Sequence, residues 1–143
     1  MGSLTVDGIK ILIERAGEKA QLEYGRPISI AICDAYGFLK AFTRMEGAPI
    51  RTIQISQSKA YTASRMESST DAFLTRLRKE ELEISHFCDP ALTALPGGVI
   101  LKDADGTILG AVGVSGLAPK EDQCVAEYVA DLFCLGEVAT TMK

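Results

Sequence analysis

The stretch GVILKDADGTILGAVGV, residues 98–114, decides the fold of this 143-residue chain. Two apolar runs flank the four residues that begin at Asp103 and end at Gly106. An aspartate at the start of so short a connection can accept hydrogen bonds from backbone N–H groups, and a glycine at its end supplies a positive φ. The stretch therefore predicts a β-hairpin.

The same pattern occurs a second time, nearer the N-terminus. Apolar segments at residues 27–33 and 38–43 are joined by Asp34-Ala-Tyr-Gly37. Connections of about two to four residues are too short for a parallel crossover, so the two hairpins predict an antiparallel sheet. A fifth strand is expected near Ile84 to Phe87.

Helical patterns flank and separate the hairpins. Apolar residues recur at helical spacing from Ile9 to Ala20, further helices are predicted over residues 49–66 and from about Thr70, and Pro119 begins the last one. The order helix, hairpin, two helices, hairpin, helix predicts an α+β fold in which helices cover an antiparallel sheet. Nothing resembling a linker interrupts this order, so residues 1–143 are expected to form a single domain.

The helix predicted over residues 49–66 is unusual, because one of its faces carries mostly small side chains rather than large apolar ones. Small side chains let a helix lie close to a sheet, to another helix or to a ligand. The residues on this face are Ile53, Ser56, Gln57, Ala60, Ala63 and Ser64.

Composition excludes several classes of function. The formal net charge is −4, which disfavours nucleic acid and anionic membranes as partners. No apolar run approaches the roughly 18 residues of a transmembrane helix, so we expect a cytoplasmic protein. The four cysteines form no CxxC pair and His86 is the single histidine, so no metal site is expected.

The stretch Gly110-Ala-Val-Gly-Val-Ser-Gly116 raises the question of phosphate binding. Its spacing is GxxGxxG rather than the GxGxxG of dinucleotide-binding folds, and the strand belongs to a hairpin. The next helix also opens with Glu121 and Asp122, which would repel a phosphate. The alternative is that Gly113 and Gly116 permit close packing and a sharp exit from the strand.

Five polar residues are candidates for binding or proton transfer. Arg44 suits a carboxylate because its guanidinium donates two parallel hydrogen bonds, although it can equally be a solvated arginine. Lys59, with Thr62 three residues later, lies among small residues, where partial burial would lower its pKa; the alternative is that Lys59 is simply exposed. Glu121 and Asp122 can serve as acid, base or acceptor, or can simply stabilise a helix N-terminus.

Several motifs occur together in one order along nearly the whole chain: Arg44-Met-Glu-Gly-Ala48, Lys59-Ala-Tyr-Thr-Ala63, Leu95-Pro-Gly-Gly98, Gly110-Ala-Val-Gly-Val-Ser-Gly116, Glu121-Asp122-Gln123 and Val125-Ala126. With them the chain resembles the GlcG/HbpS family, also described as the haem-degrading domain or the PduO C-terminal domain. The resemblance implies profilin-like α/β/α layers around a five-stranded antiparallel sheet, usually in homo-oligomers.

The family's functions are diverse. Its members include haem-binding and haem-sensing proteins, corrinoid-related domains and proteins of glycolate and aromatic catabolism, and one branch resembles cofactor-free lyases acting on hydroxylaminobenzoates. This chain departs from the family pattern at Ile100, where proline is common, and at Glu46, where aspartate is usual. Its predicted N-terminal helix has no histidine to act as an axial haem ligand, which leaves His86, Met45, Tyr61 and the cysteines.

Two functional hypotheses follow, and the sequence leaves open whether the protein is an enzyme. The first is a small-molecule-binding protein for haem or a related planar anionic ligand, with ligand-binding residues Arg44, Met45, Thr62, Gly97, Gly98, Ser115 and Gly116. The second is a cofactor-free lyase or isomerase acting on a small carboxylated metabolite, in which the catalytic residues that handle protons are Lys59, Glu121 and Asp122. A third interpretation, a structural or adaptor subunit without a ligand, predicts a closed pocket and a mostly exposed Lys59.

Overall fold

The structure is a computed structural model that describes residues 3–136. Residues 1–2 and 137–143, the two ends of the predicted domain, lie outside the described part. The elements are α1 (Val6–Tyr24), β1 (Ser29–Asp34), β2 (Leu39–Arg44), α2 (Thr52–Met66), α3 (Thr70–Glu80), a 3₁₀ helix (Ile84–Phe87), β3 (Gly98–Lys102), β4 (Ile108–Ser115) and α4 (Pro119–Cys134).

The strands form one sheet in the order β2-β1-β4-β3, and every neighbouring pair is antiparallel. Each predicted hairpin forms, and β1 and β4 pair along the centre of the sheet. Ser29 lies opposite both Arg44 of β2 and Ser115 of β4. The predicted α+β class and the antiparallel sheet are therefore confirmed.

The sheet has four strands, so the fifth strand expected near Ile84 was wrong. These residues form a short 3₁₀ helix, because their backbone groups bond locally: the N–H of His86 donates to the carbonyl of Glu83 over 3.0 Å. The ring of Phe87 packs edge-on against Phe73, with centroids 5.2 Å apart. Apolar residues three positions apart suit a helical turn better than a strand, whose period is two.

The two hairpin turns have the predicted chemistry. Asp34 and Asp103 each accept two backbone hydrogen bonds of 2.9 and 3.0 Å, from the residues two and four positions later. Gly37 and Gly106 have φ angles of 94° and 85°, which favour glycine. Local chemistry alone therefore fixes both connections.

Helices cover both faces of the sheet. On one side α1 and α4 pack against each other and against the aliphatic face, which consists of Ile30, Ile32, Val112 and Val114. On the other side α2 crosses all four strands over the small-residue face, which consists of Ala31, Cys33, Ala111 and Gly113.

The glycine of the small-residue face is required by the close approach of α2. A Cβ atom at Gly113 would overlap the carbonyl oxygen of Ser56 and lie 2.6 Å from the backbone nitrogen of Ala60. A Cβ at Gly98, directly opposite in β3, would overlap the carbonyl oxygen of Lys59. The backbone of α2 therefore rests almost directly on β3 and β4.

The ends of α1 and α4 are defined by capping residues. Thr5 accepts a 3.0 Å hydrogen bond from the N–H of Gly8, and Gly25 closes α1 in the left-handed conformation with φ 65°. Pro119 is the first residue of α4, as its sequence position predicts. Within residues 3–136, none of the helices combines the length and the apolarity that crossing a membrane requires.

Candidate functional site

Lys59 lies on the buried face of α2, with 1% of its surface exposed. Its ammonium group donates to the carbonyl oxygen of Val114 over 2.8 Å and to the carboxylate of Asp122 over 3.0 Å. A Cβ atom at Gly97 would lie 2.7 Å from the Lys59 nitrogen. The glycine therefore makes room for the lysine, and the interpretation that required an exposed Lys59 loses its support.

Asp122 is the partner that makes this burial tolerable. Its second oxygen accepts the N–H of Leu117 over 3.0 Å, and 2% of the residue is exposed. Burial raises the pKa of Asp122 to about 6, although the charge of Lys59 acts to lower it. Burial likewise lowers the pKa of Lys59, against the opposing effect of Asp122. The pair is thus a buried acid whose pKa is raised and a buried base whose pKa is lowered.

A cavity of about 310 Å³ borders this pair. It lies where the residues after α1, the first turn of α2, the loop before β3 and the turn from β4 into α4 meet. Its lining residues are Arg26, Arg51, Thr52, Ile55, Lys59, Leu95, Ser115, Gly116, Leu117, Ala118, Pro119 and Asp122.

Two of these residues, Arg26 and Arg51, were missed by the sequence analysis. Each lies beside an element boundary: Arg26 follows the glycine that ends α1, and Arg51 directly precedes α2. No local motif marks them. They come together because the antiparallel pairing of β1 and β2 places the start of β1, which follows Arg26, beside the end of β2, which leads to Arg51.

The charges at the mouth of the cavity are not balanced. Arg26 pairs with Glu121 over 3.1 Å, and the same Glu121 oxygen accepts the N–H of Ala118 over 3.2 Å. The exposed side chain of Arg51 forms neither an ion pair nor a hydrogen bond with any residue between 3 and 136. With Lys59 already neutralised by Asp122, Arg51 is an uncompensated cation at this site.

Ser115 and Gly116 form the wall of the cavity at the end of β4. Ser115 is buried on the side of the sheet that faces α2. Gly116 has φ 138°, and a Cβ there would lie 2.7 Å from the carbonyl oxygen of Pro27. The glycine therefore permits the turn of β4 to pass close to the segment before β1, and the backbone is exposed to the cavity.

The remaining predicted ligand-binding residues lie away from the cavity wall. Arg44 donates from Nε to the carbonyl oxygen of Ala48 over 3.0 Å. Met45 packs on the aliphatic side of the sheet beside Gly17 of α1. Thr62 accepts the N–H of Thr93 over 2.9 Å and so holds the loop before β3.

Gly97 and Gly98 support the site from behind. The N–H of Gly97 donates to the side chain of Gln123 over 2.7 Å, and the N–H of Gly98 donates to Thr70 over 2.9 Å. These bonds fix the loop against which Lys59 packs. The structure thus brings Lys59, Asp122, Ser115 and Gly116 together at one cavity and places the two glycines next to Lys59.

The candidate axial ligands lie elsewhere or are already engaged. The imidazole of His86 accepts the N–H of Glu83 over 3.1 Å, and the Tyr61 hydroxyl donates to Asp89 over 2.5 Å. Among residues 3–136 there is no group of three or more histidine, cysteine, aspartate or glutamate side chains arranged to hold a metal ion.

Comparisons with known proteins place this geometry in a family. A family model described as "Haem degrading protein HbpS-like" matches residues 4–131. Protein GlcG of Escherichia coli (strain K12) is 36% identical over 100 residues, which make up 70% of this chain and 72% of that protein. The family match spans the sheet, α2 and most of α4.

Solved structures share the fold. The crystal structure of HbpS is 25% identical, with a TM-score of 0.81, and the match covers 92% of this chain and 91% of that chain. The crystal structure of the PduOC:haem complex is 24% identical, with a TM-score of 0.80, covering 90% of this chain and 94% of that chain. At such identity the second likeness shows the fold alone.

Proposed function

Because the chain belongs to the HbpS-like family, we propose that it binds a small planar anionic molecule, haem or a related compound, in the cavity beside Lys59. The observation that carries this proposal is the uncompensated positive charge of Arg51 at the mouth of a cavity that also holds Arg26 and Lys59. Guanidinium groups bind carboxylates through paired hydrogen bonds. The backbone of Gly116 offers a wall without a side chain, against which a flat ligand can lie.

The lining residues suit the carboxylates of haem but not its iron. They include no histidine, cysteine, methionine or tyrosine, which are the common axial ligands. The single amine, Lys59, is committed to Asp122 and Val114. We therefore assign binding to the carboxylates of the ligand and derive no chemistry at an iron.

This assignment is tested by titrating the protein with haemin and, separately, with iron-free protoporphyrin. The expected result is comparable binding of both, within about threefold, and weaker binding of both to Arg51→Ala. Arg44→Ala is the matched control, since Arg44 lies outside the cavity wall and its loss is expected to change little. Binding of haemin alone, or binding that Arg51→Ala leaves unchanged, would contradict the assignment, and failure of both porphyrins to bind would overturn the proposed function.

A second function, a cofactor-free lyase or isomerase acting on a small carboxylated metabolite such as a hydroxylamino-aromatic acid, is favoured by the pair of Lys59 and Asp122. A buried acid and base beside a cavity are suited to proton transfer, because their pKa values are drawn toward neutrality. The volume of about 310 Å³ lies at the lower end of the usual range for ligand pockets. A single-ring acid fits within that volume.

The enzymatic alternative is tested by following the loss of 4-hydroxylaminobenzoate in the presence of the protein. Turnover is expected to fall at least about 100-fold in Lys59→Met and in Asp122→Asn, since general acid–base groups contribute roughly 10²–10⁴-fold. Glu80→Gln, an exposed change on α3, is the control and should retain the wild-type rate. Circular dichroism establishes that each variant is folded; undiminished turnover by folded Lys59→Met would exclude this mechanism.

A further inference from the structure

Glu121 was expected to handle protons, but its contacts indicate a different role. One of its carboxylate oxygens, Oε1, accepts hydrogen bonds both from Nη2 of Arg26 over 3.1 Å and from the backbone N–H of Ala118 over 3.2 Å. The first bond occupies a cation that lines the cavity, and the second caps α4. The same carboxylate therefore stabilises a helix and masks an arginine.

The masking bond is weak enough to be exchanged. The side chains of Arg26 and Glu121 are 55% and 36% exposed, so water competes for both partners. Exposed ion pairs of this kind contribute little to stability. The bond to Ala118 does not involve Arg26 and can persist when the guanidinium turns toward a ligand.

The other charges of the cavity decide what such an exchange selects. Arg51 has no partner within the described chain, whereas Lys59 is held by Asp122. A ligand with one carboxylate finds Arg51 available and leaves the bond between Arg26 and Glu121 intact. A ligand with two carboxylates needs a second cation. Arg26 can serve as that cation only when its ion pair with Glu121 breaks.

We propose that Glu121 is an internal competitor for Arg26, and that it sets the preference of the cavity between monocarboxylates and dicarboxylates. This inference rests on the proposed function, because it requires an anionic ligand in this cavity. Glu121 acts through Arg26 and does not itself contact the ligand, so it is a specificity-determining positioning residue. Removing the charge of Glu121 while keeping its hydrogen bond to the N-terminus of α4 should therefore favour binding of dicarboxylates over monocarboxylates.

The substitution Glu121→Gln makes this separation, because the side-chain oxygen of glutamine still accepts the N–H of Ala118 while the charge is lost. The full-length chain is titrated calorimetrically with benzoate, which carries one carboxylate, and with phthalate, which carries two. The ratio of the phthalate to the benzoate affinity is expected to rise about two- to fivefold in Glu121→Gln, the range that an exposed ion pair allows. The rise should shrink at high salt, which screens exposed charges.

Two further variants make the result specific. Glu80→Gln removes another exposed carboxylate, which pairs with Arg76 on α3, and it should leave the ratio unchanged. In an Arg26→Ala background, Glu121→Gln should also leave the ratio unchanged, because the contested cation is gone. A ratio that is unchanged in Glu121→Gln itself would overturn the competition alone, whereas no binding of either acid to any variant would overturn the proposed binding site as well.

Discussion

The two faces of the sheet use opposite solutions to the same packing problem. The aliphatic face fills the space beneath α1 and α4 with isoleucine and valine side chains, all of them buried. The small-residue face has almost no side-chain volume, and the backbone of α2 takes the space instead. One face contributes stability through buried apolar area, and the other permits close approach of a helix.

The difference between the faces explains where the candidate site is. Because α2 rests on glycine and alanine, the side chain of Lys59 can extend from the helix past Gly97 to the end of β4 and reach Asp122. Larger residues on that face would lift the helix and separate the pair. The aliphatic face has no comparable polar group at its centre.

The largest expected effect comes from breaking the buried pair. Lys59→Met removes the cation and leaves the Asp122 carboxyl buried without its partner, which should lower the free energy of unfolding by about 3–5 kcal/mol. Urea denaturation measures this free energy. The double variant Lys59→Met/Asp122→Asn should be more stable than Lys59→Met, because no buried charge remains; if it is less stable, the desolvated charge is not the cause.

A smaller effect should follow from adding volume to one face and removing it from the other. Gly113→Ala places a methyl group against the backbone of α2 and should cost about 2–3 kcal/mol through overpacking. Val112→Ala, its neighbour on the aliphatic face, should cost about 1–2 kcal/mol because it leaves a cavity. Thermal unfolding compares the two; if Gly113→Ala proved neutral, α2 would not rest on the strand as described.

A third expected effect concerns protonation rather than packing. The folded protein raises the pKa of Asp122 from 3.8 to about 6, so the folded state binds this proton more tightly than the unfolded state. The stabilising contribution of the protonated carboxyl is therefore complete below about pH 3.8 and is lost as the pH rises through about 6. In Lys59→Met the pKa should rise further, since the lysine charge acts to lower it.

Carboxyl NMR titration measures this pKa directly. Asp89, a half-buried aspartate whose pKa is lowered by its bond to Tyr61, is an internal control and should titrate below its ordinary value in both proteins. An Asp122 pKa near 4 in the wild type would mean that its burial is less complete than the structure indicates.

Local chemistry made most of the fold predictable. The carboxylates of Asp34 and Asp103 and the glycines that follow them specify their turns within a few residues, and Pro119 marks the start of α4. The segment at Ile84 was predicted wrongly because a four-residue segment with two apolar residues, Ile84 and Phe87, does not distinguish a strand from a helical turn. The homo-oligomer implied by the family resemblance stays a prediction.

The site was only partly predictable. Lys59 and Asp122 could be found because a lysine among small residues and an acid at a helix start are visible locally. Arg26 and Arg51 could not, because their proximity depends on how β1, β4 and α2 assemble. The pairing of Glu121 with Arg26 was also hidden, since the two residues lie 95 positions apart in the sequence.

The central claim is that an anionic ligand enters the cavity between the first turn of α2 and the turn from β4 into α4. Backbone amide NMR shifts on addition of protoporphyrin test it most directly. The largest changes are expected at Arg26, at residues 51–55 and at residues 115–118. Changes concentrated instead around Tyr36 and Arg65, or around Gln57 and Tyr61, which line two other cavities, would contradict it.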